Sequence, residues 1–252
     1  MKRPSLWFVV PAHGRLALSR ICLRQLRRTI DDLEDAGVRA SAVVVASDEN
    51  LDTARELGFG TVERNNRFLS RRFNDGFQLA FDKGVNPRPA DYVVPIGSDD
   101  WVDPAILLDL PPRDTVVGFQ RISFVREDGL ELTERFLDYA GGCGIRIYPR
   151  ACFRPFGFRP ADEDRVRGCD TSILVNMKRT LPFKLEHREI DARQIVDWKS
   201  PGSNRNSYAE VAGRWRGSPP VDPSEALRDL FPAEALADMA AHYGHDREAV
   251  CL

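Results

Sequence analysis

Two adjacent carboxylates, Asp99 and Asp100, follow the apolar run Tyr92-Val-Val-Pro-Ile96 and precede Trp101-Val-Asp-Pro104. Paired acids at the end of a buried strand suit a hard divalent cation, which takes oxygen ligands and can bridge to phosphate oxygens. Two other apolar runs also end in polar segments: Leu6–Val10 leads into Pro11-Ala-His-Gly-Arg15, and Ala42–Ala46 leads into Ser47-Asp48-Glu49-Asn50. In an open parallel sheet, ligands bind beyond the carboxyl ends of the strands, so three such ends would converge on one crevice. The chain has no glycine-rich phosphate loop of the Walker or dinucleotide-fingerprint type. Any phosphates would therefore be held by metal and side chains.

The elements that must position these groups follow from periodicity. Leu6–Val10 and Ala42–Ala46 are short, rich in β-formers and bounded by turn residues, so both read as buried strands. Between them Leu23, Leu26, Ile30 and Leu33 share one helical face, Arg20, Arg24, Arg27 and Arg28 share another, and Gly37 stands where a helix ends. A short helix is expected over Leu51–Leu57, a weak strand over Thr61–Glu63 and a helix over Arg71–Lys83, before the Tyr92–Ile96 strand. That alternation is the pattern of a parallel sheet covered on both faces. Farther along, strands are expected at Thr115–Phe119, Ile122–Arg126 and Ile145–Tyr148, a helix at Thr171–Lys178, and another strand within Glu189–Trp198. Lys199–Ser207 is polar and reads as a loop, and two short helices fit Pro223–Leu230 and Pro232–His242.

Composition bounds the class. Of 252 residues, 42% are apolar and 29% charged, which excludes a chain disordered throughout. No apolar run reaches the roughly 18–20 residues that span a bilayer, and Leu6–Val10 is too short for a signal segment, so a cytoplasmic location is expected. The five scattered cysteines point to reduced thiols. Net charge is −2, with about −5 on Val221–Leu252 and about +3 on the remainder, so global charge makes no case for nucleic acid. The expected organisation is one α/β domain over 1–217 and a helical extension over 218–252. Within that domain, residues 1–110 and 111–217 are expected to form two halves.

Four segments in order resemble family 2 glycosyltransferases, which have the GT-A fold: Pro11-Ala-His-Gly-Arg15, Ser47-Asp48-Glu49, Arg71-Arg-Phe-Asn74-Asp-Gly76 and Gly97-Ser-Asp-Asp-Trp-Val-Asp-Pro104. The likeness is good over residues 6–110, loose over 111–200 and absent in the tail. It implies a mostly parallel central sheet, a nucleotide diphosphate sugar donor, and Mn²⁺ or Mg²⁺. It further implies that Pro11, His13 and Arg15 line the nucleotide pocket and that Asp48 accepts from the base ring. Arg71 or Arg72 would approach the diphosphate, with Asn74 beside them. Ser98 and Asp99 would meet the donor, and Asp99 and Asp100 the metal. Gly97 stands where the family block has its first acid. In the family a later acidic pair precedes a helix and supplies the catalytic base; Asp170 matches it here, with Cys169 in place of the partner acid. Asp162, Glu163 and Asp164 compete for that role, Asp170 could instead cap the helix, and His187 could be a late metal ligand.

The implied activity is metal-dependent transfer of a sugar to an acceptor hydroxyl, with the inversion at the anomeric carbon that the resemblance implies. The alternatives are a non-catalytic nucleotide-sugar-binding relative and a phage-type enzyme acting on a hydroxylated DNA base. The DNA reading would use the basic face of the first helix and the cluster Arg64, Arg67, Arg71 and Arg72. The acceptor is therefore open between a glycan and DNA. Lys199–Ser207 could form a lid over the donor.

Overall fold

Alternation along the first strand sets the layers. In β1 (Ser5–Pro11), Leu6, Phe8 and Val10 enter one core while Val9 enters the other, as a two-residue period requires. The computed structural model describes residues 3–81, 88–126, 144–199 and 237, with the backbone of 132–136. After β1 come α1 (Leu16–Asp35), β2 (Arg39–Ala46), α2 (Asn50–Glu56), β3 (Gly60–Glu63), α3 (Leu69–Phe81) and β4 (Tyr92–Pro95). The second half contains β5 (Asp100–Val102), β6 (Thr115–Phe119), β7 (Arg121–Arg126), β8 (Leu132–Phe136), β9 (Arg146–Pro149), α4 (Cys169–Thr180), β10 (Lys184–Arg188) and β11 (Ile195–Lys199).

These strands form a seven-stranded sheet in the order β10-β6-β9-β4-β1-β2-β3 and a four-stranded sheet in the order β5-β11-β7-β8. The large sheet is parallel except at β9, which runs antiparallel to both β4 and β6. The expected α/β architecture with a mostly parallel central sheet is therefore present. On one face α1 contributes Leu23, Leu26, Ile30 and Leu33 to a core shared with Phe8, Val44, Val94 and Ile195. On the other, α3 and α4 pack Phe77, Phe81, Ile173 and Met177 against Val9, Val43 and Val93. Gly37 takes a positive φ of 89° just beyond α1, as its place in the sequence predicts.

Three strands lie outside the expectations. β5 is only Asp100–Val102, so the second of the two adjacent acids itself begins a strand. β10 and β8 were hidden because their sequences, Lys-Leu-Glu-His-Arg and Leu-Thr-Glu-Arg-Phe, carry little apolar character. Of the expected Lys199–Ser207 loop, Lys199 ends β11 and the rest falls outside the described residues. The expected extension over 218–252 lies outside them as well, apart from Ala237.

Gly76 fixes how closely α3 approaches the sheet. A Cβ there would overlap Val9 Cγ1 and sit 3.2 Å from Val45 Cγ2, both fully buried. Alanine gains up to about 1 kcal/mol of helix propensity, but overpacking a core costs about 1–3 kcal/mol. Gly76→Ala should thus lower unfolding stability by roughly 1–2 kcal/mol in urea titrations. A gain in stability would show that α3 can retreat from the sheet freely.

Candidate functional site

β1, β2 and β4 are parallel neighbours in register, with Pro11 opposite Val45 and Val9 opposite Pro95. Their carboxyl ends therefore open on one side, as the polar ends of their sequences predict. A cleft of about 440 Å³ lies there, lined among others by Pro11, His13, Arg15, Arg67, Arg72, Ser98 and Asp99. A second cleft of about 450 Å³ shares Leu69, Phe73, Gly97 and Val166 with the first and adds Asp100, Arg167 and Asp170. Pro11, His13, Arg15, Arg72, Ser98 and Asp99, expected to meet the donor, thus occupy a space adjoining that of the expected base.

The turn after β1 is strained and tightly held. Gly14 has φ 60° and Arg15, a non-glycine residue, has φ 42° in the left-handed region. Such a conformation costs on the order of 1–2 kcal/mol for an L-residue and persists only where its surroundings enforce it. Asp48 is the enforcer: it accepts from the Gly14 backbone N–H at 2.9 Å, from the Asn50 backbone N–H at 3.1 Å and from Asn50 Nδ2 at 2.7 Å. Asn50 Nδ2 also donates to the Gly14 carbonyl at 3.4 Å, and His13 Nδ1 lies 3.4 Å from Asp48. Burial disfavours the Asp48 charge, but the Gly14 and Asn50 hydrogen bonds outweigh it and hold the carboxyl below its usual range. Asp48, expected to accept from a base ring, has its acceptor capacity directed to the turn.

At the end of β4 the chain folds its two acids back over Gly97. Asp100 Oδ2 accepts from the Gly97 N–H at 2.7 Å, and a Cβ on Gly97 would stand 2.6 Å from Asp99 Oδ1 and 2.7 Å from Asp100 Oδ2. A side chain at position 97 would have to displace both carboxylates from these places. A third acid comes from elsewhere. Asp197 on β11 pairs in register with Asp100 on β5, and ligand atoms of Asp99, Asp100 and Asp197 lie within 4.8 Å of one another. Sequence reasoning missed Asp197. Its signal was an acid in the otherwise apolar stretch Ile195-Val-Asp-Trp198, but its partner could not be read without the β5–β11 pairing.

The electrostatics of this group are those of crowded, desolvated acids. Burial, then Asp197 and Asp99, push the Asp100 carboxyl well above the usual range. Burial pushes Asp197 up to about 6, partly opposed by Lys199, whose Nζ is 2.6 Å from Asp197 Oδ2. Arg15 Nη2 contacts Asp99 Oδ2 at 2.6 Å. Asp197 Oδ1 is buried without a hydrogen-bond partner. Oxygen-only donors, excess negative charge and an unpaired buried acceptor fit a divalent cation. Asp99, Asp100 and Asp197 could hold it.

The arginines of α3 divide. Arg72 is buried at 7% exposure, donates through Nη1 to the Ala12 carbonyl at 2.8 Å and leaves Nε without a partner, at the wall of the first cleft. Arg71 turns away, to the Glu163 carbonyl at 3.1 Å and Asp164 Oδ1 at 2.8 Å. Of the two, Arg72 meets the cleft. Asn74 is fully buried and exchanges both amide hydrogen bonds with Ala161, at 2.9 and 3.0 Å. It anchors the 159–168 loop and lines neither cleft. Ser70 anchors the same loop through Arg165, accepting at 3.0 Å and donating at 3.1 Å. Arg64 pairs with Asp75, and on α1 Arg27 pairs with Asp31. The arginine groups that a DNA backbone would need are thus partly neutralised within the chain.

Asp170 lies in the first turn of α4, not at its cap, which is Gly168 at φ 59° with no side-chain cap bond. The capping role therefore falls away. Asp170 stays partly exposed to the second cleft, 3.6 Å from Nη2 of Arg146, which is itself 1% exposed. The competing acids are engaged elsewhere: Asp162 with Arg165 and Asn176, Glu163 with Arg159, and Asp164 with Arg71. His187 is exposed on β10, an edge strand of the large sheet, and does not join the carboxylate group. Among the described residues, no helix is long and apolar enough to cross a membrane.

No protein-family model matches the chain. Among solved structures, the chain is similar to glucosyl-3-phosphoglycerate synthase from Mycobacterium tuberculosis, crystallised with Mn²⁺, UDP-glucose and phosphoglyceric acid. That likeness has a TM-score of 0.48 at 13% identity and covers 96% of this chain and 80% of that one. It is also similar to a Drosophila β-1,4-galactosyltransferase 7 crystallised with manganese, UDP-Gal and xylobiose, at a TM-score of 0.47 and 15% identity, covering 73% and 64%. Among curated proteins, the chain is 24% identical over 106 residues to EpsH of Bacillus subtilis (strain 168), whose name provisionally assigns it to the glycosyltransferases. That stretch is 41% of this chain and spans 28% of the length of EpsH.

Proposed function

We propose that this protein is a metal-dependent glycosyltransferase that moves a sugar from a nucleotide diphosphate donor to an acceptor hydroxyl. The observation that carries this is the junction of the two clefts: a three-carboxylate group borders both, with cationic side chains on one side and Asp170 on the other. Similarity to EpsH over 106 residues supports the same class. Pro11, His13 and Ser98 would shape the nucleotide pocket, and Arg72 would give its unpaired Nε–H to the diphosphate. Bound Mn²⁺ or Mg²⁺ would neutralise charge on the leaving diphosphate. Asp99, Asp100 and Asp197 would hold and orient it.

Asp170 would accept the acceptor hydroxyl proton as that oxygen attacks the anomeric carbon, on the face opposite the departing diphosphate. Inversion follows from that single displacement. Arg146 beneath Asp170 would keep the carboxylate oriented toward the second cleft. Residues 1–110 would form the donor half and 111–217 the acceptor half of one domain, with 218–252 as an extension. The buried free thiols Cys22, Cys152 and Cys169 support a reducing, cytoplasmic setting.

The test is a thermal-shift screen of nucleotide sugars with and without Mn²⁺, followed by assay for released nucleoside diphosphate. One donor should raise the melting temperature more with Mn²⁺ than without, since a ligand that binds only the folded state stabilises it. A donor that binds but is never turned over with any acceptor would favour the non-catalytic relative.

A further inference from the structure

Arg15 is placed against every local preference of its position. It takes a left-handed φ of 42° as the N-cap of α1, makes no side-chain cap there, and puts a cation at a helix N-terminus that has no acid in its first turn. Helix N-termini favour anions, and left-handed backbone favours glycine. Asp48 and Asn50 lock the preceding Gly14 on both its N–H and its carbonyl, so this unfavourable turn is held by design of the fold. Where local rules fail under such enforcement, the cause is usually functional.

The product of that placement is a contact with the acids. Arg15 Nη2 sits 2.6 Å from Asp99 Oδ2, within the group of three acids, while Lys199 Nζ sits 2.6 Å from Asp197 Oδ2 on the other side. A divalent cation on the three carboxylates would need charge that Arg15 already neutralises, and the two cations would repel at that range. Arg15 also lines the cleft assigned to the diphosphate, so it has a second anionic partner within its own pocket.

On the basis of the metal site proposed above, we infer that Arg15 is a built-in competitor for that site. It pairs with Asp99 until a metal displaces it, and it then turns to the phosphates of the donor. Metal and donor are thereby coupled through one side chain. Metal alone meets a site part-filled by a guanidinium, whereas metal with a diphosphate gives that guanidinium a new anion. The coupling is reciprocal, as linkage requires.

The experiment measures Mn²⁺ affinity alone, without donor, by electron paramagnetic resonance of free Mn²⁺ on the full chain. Three variants are compared with the wild type: Arg15→Gln, Arg15→Gly and, as a charge control, Arg27→Gln, whose arginine pairs with Asp31 on the α1 surface. Arg15→Gly suits the left-handed backbone, so it should fold at least as well as the wild type. Both Arg15 variants should bind Mn²⁺ roughly three- to tenfold more tightly, the scale of losing one partly exposed ion pair and its repulsion. Arg27→Gln should match the wild type. Tight binding in the Arg15 variants with none in the wild type would support the competition in its strongest form. Equal gains in the Arg15 and Arg27 variants would reduce it to general charge, and unchanged or weaker binding in the Arg15 variants would overturn it while leaving the metal site standing. No Mn²⁺ binding by any form would overturn the metal site, and the inference with it.

Discussion

Asp170→Asn should lose at least about 100-fold in transfer rate while keeping donor binding, because general-base help is worth roughly 10²–10⁴. Asparagine keeps the size of the side chain but cannot take the acceptor proton. The donor would be held by groups of the first cleft, such as Arg72 and Ser98, which do not touch Asp170. A cost in stability is also expected, since the buried Arg146 loses the carboxylate 3.6 Å away. That cost should be about 1–3 kcal/mol, visible as a lower melting temperature of a still cooperative transition. Transfer is read as nucleoside diphosphate release with the donor and acceptor found by screening, and donor binding as a retained thermal shift. Near-normal transfer would remove Asp170 from the chemistry. The other acids of the preceding loop, Asp162, Glu163 and Asp164, are each already held by an arginine.

The second large effect concerns the metal. In the wild type, Mn²⁺ at about 100 times its dissociation constant should add about 2.7 kcal/mol, on the order of 5–10 °C in melting temperature for a chain of this size. Asp99→Asn combined with Asp100→Asn should abolish that rise. Without metal at pH 7.5 the double variant should melt no lower than the wild type, because it relieves repulsion among the three acids. A persistent Mn²⁺ response would move the metal elsewhere.

The same site predicts a pH dependence with a definite sign. Asp100 and Asp197 have raised pKa values in the folded chain, so the native state binds their protons more tightly than the unfolded state does. Their contribution to stability is therefore full below the unfolded carboxylate value of about 4 and declines as pH rises through the folded values, about 6 for Asp197. A metal must displace those protons, so its stabilisation should be small at pH 5 and grow toward pH 7.5. A Mn²⁺ shift that is flat across this range would contradict the crowding of these acids.

Much of the architecture was legible in the chain because it is written in short-range pattern. Leu6–Val10, Ala42–Ala46 and Thr115–Phe119 are apolar enough to be buried on both faces, and β1, β2 and β6 lie there. The faces of α1 follow from a 3.6-residue period, and the breaks after β1, β2 and β4 mark the crevice in the sequence itself. Of the residues that the resemblance named, Pro11, His13, Arg15, Ser98 and Asp99 line one cleft and Asp170 lines the next.

What pairing and burial decide was not legible. Asp197 joins Asp99 and Asp100 because β11 runs antiparallel to β5, a contact between residues about 97 positions apart that no local period encodes. Asn74 and Asp48 carry the residue types of ligand contacts, yet their hydrogen-bond capacity is taken by Ala161, Gly14 and Asn50. Arg71 and Arg72 are adjacent in sequence, and only the direction of each side chain from α3 sends one to Asp164 and the other to the cleft. Sequence specified which chemical groups stand at the ends of which strands, since those are properties of single segments. Tertiary structure chose which of them remain free to meet a ligand, because each buried donor or acceptor is first claimed by the nearest partner the fold supplies.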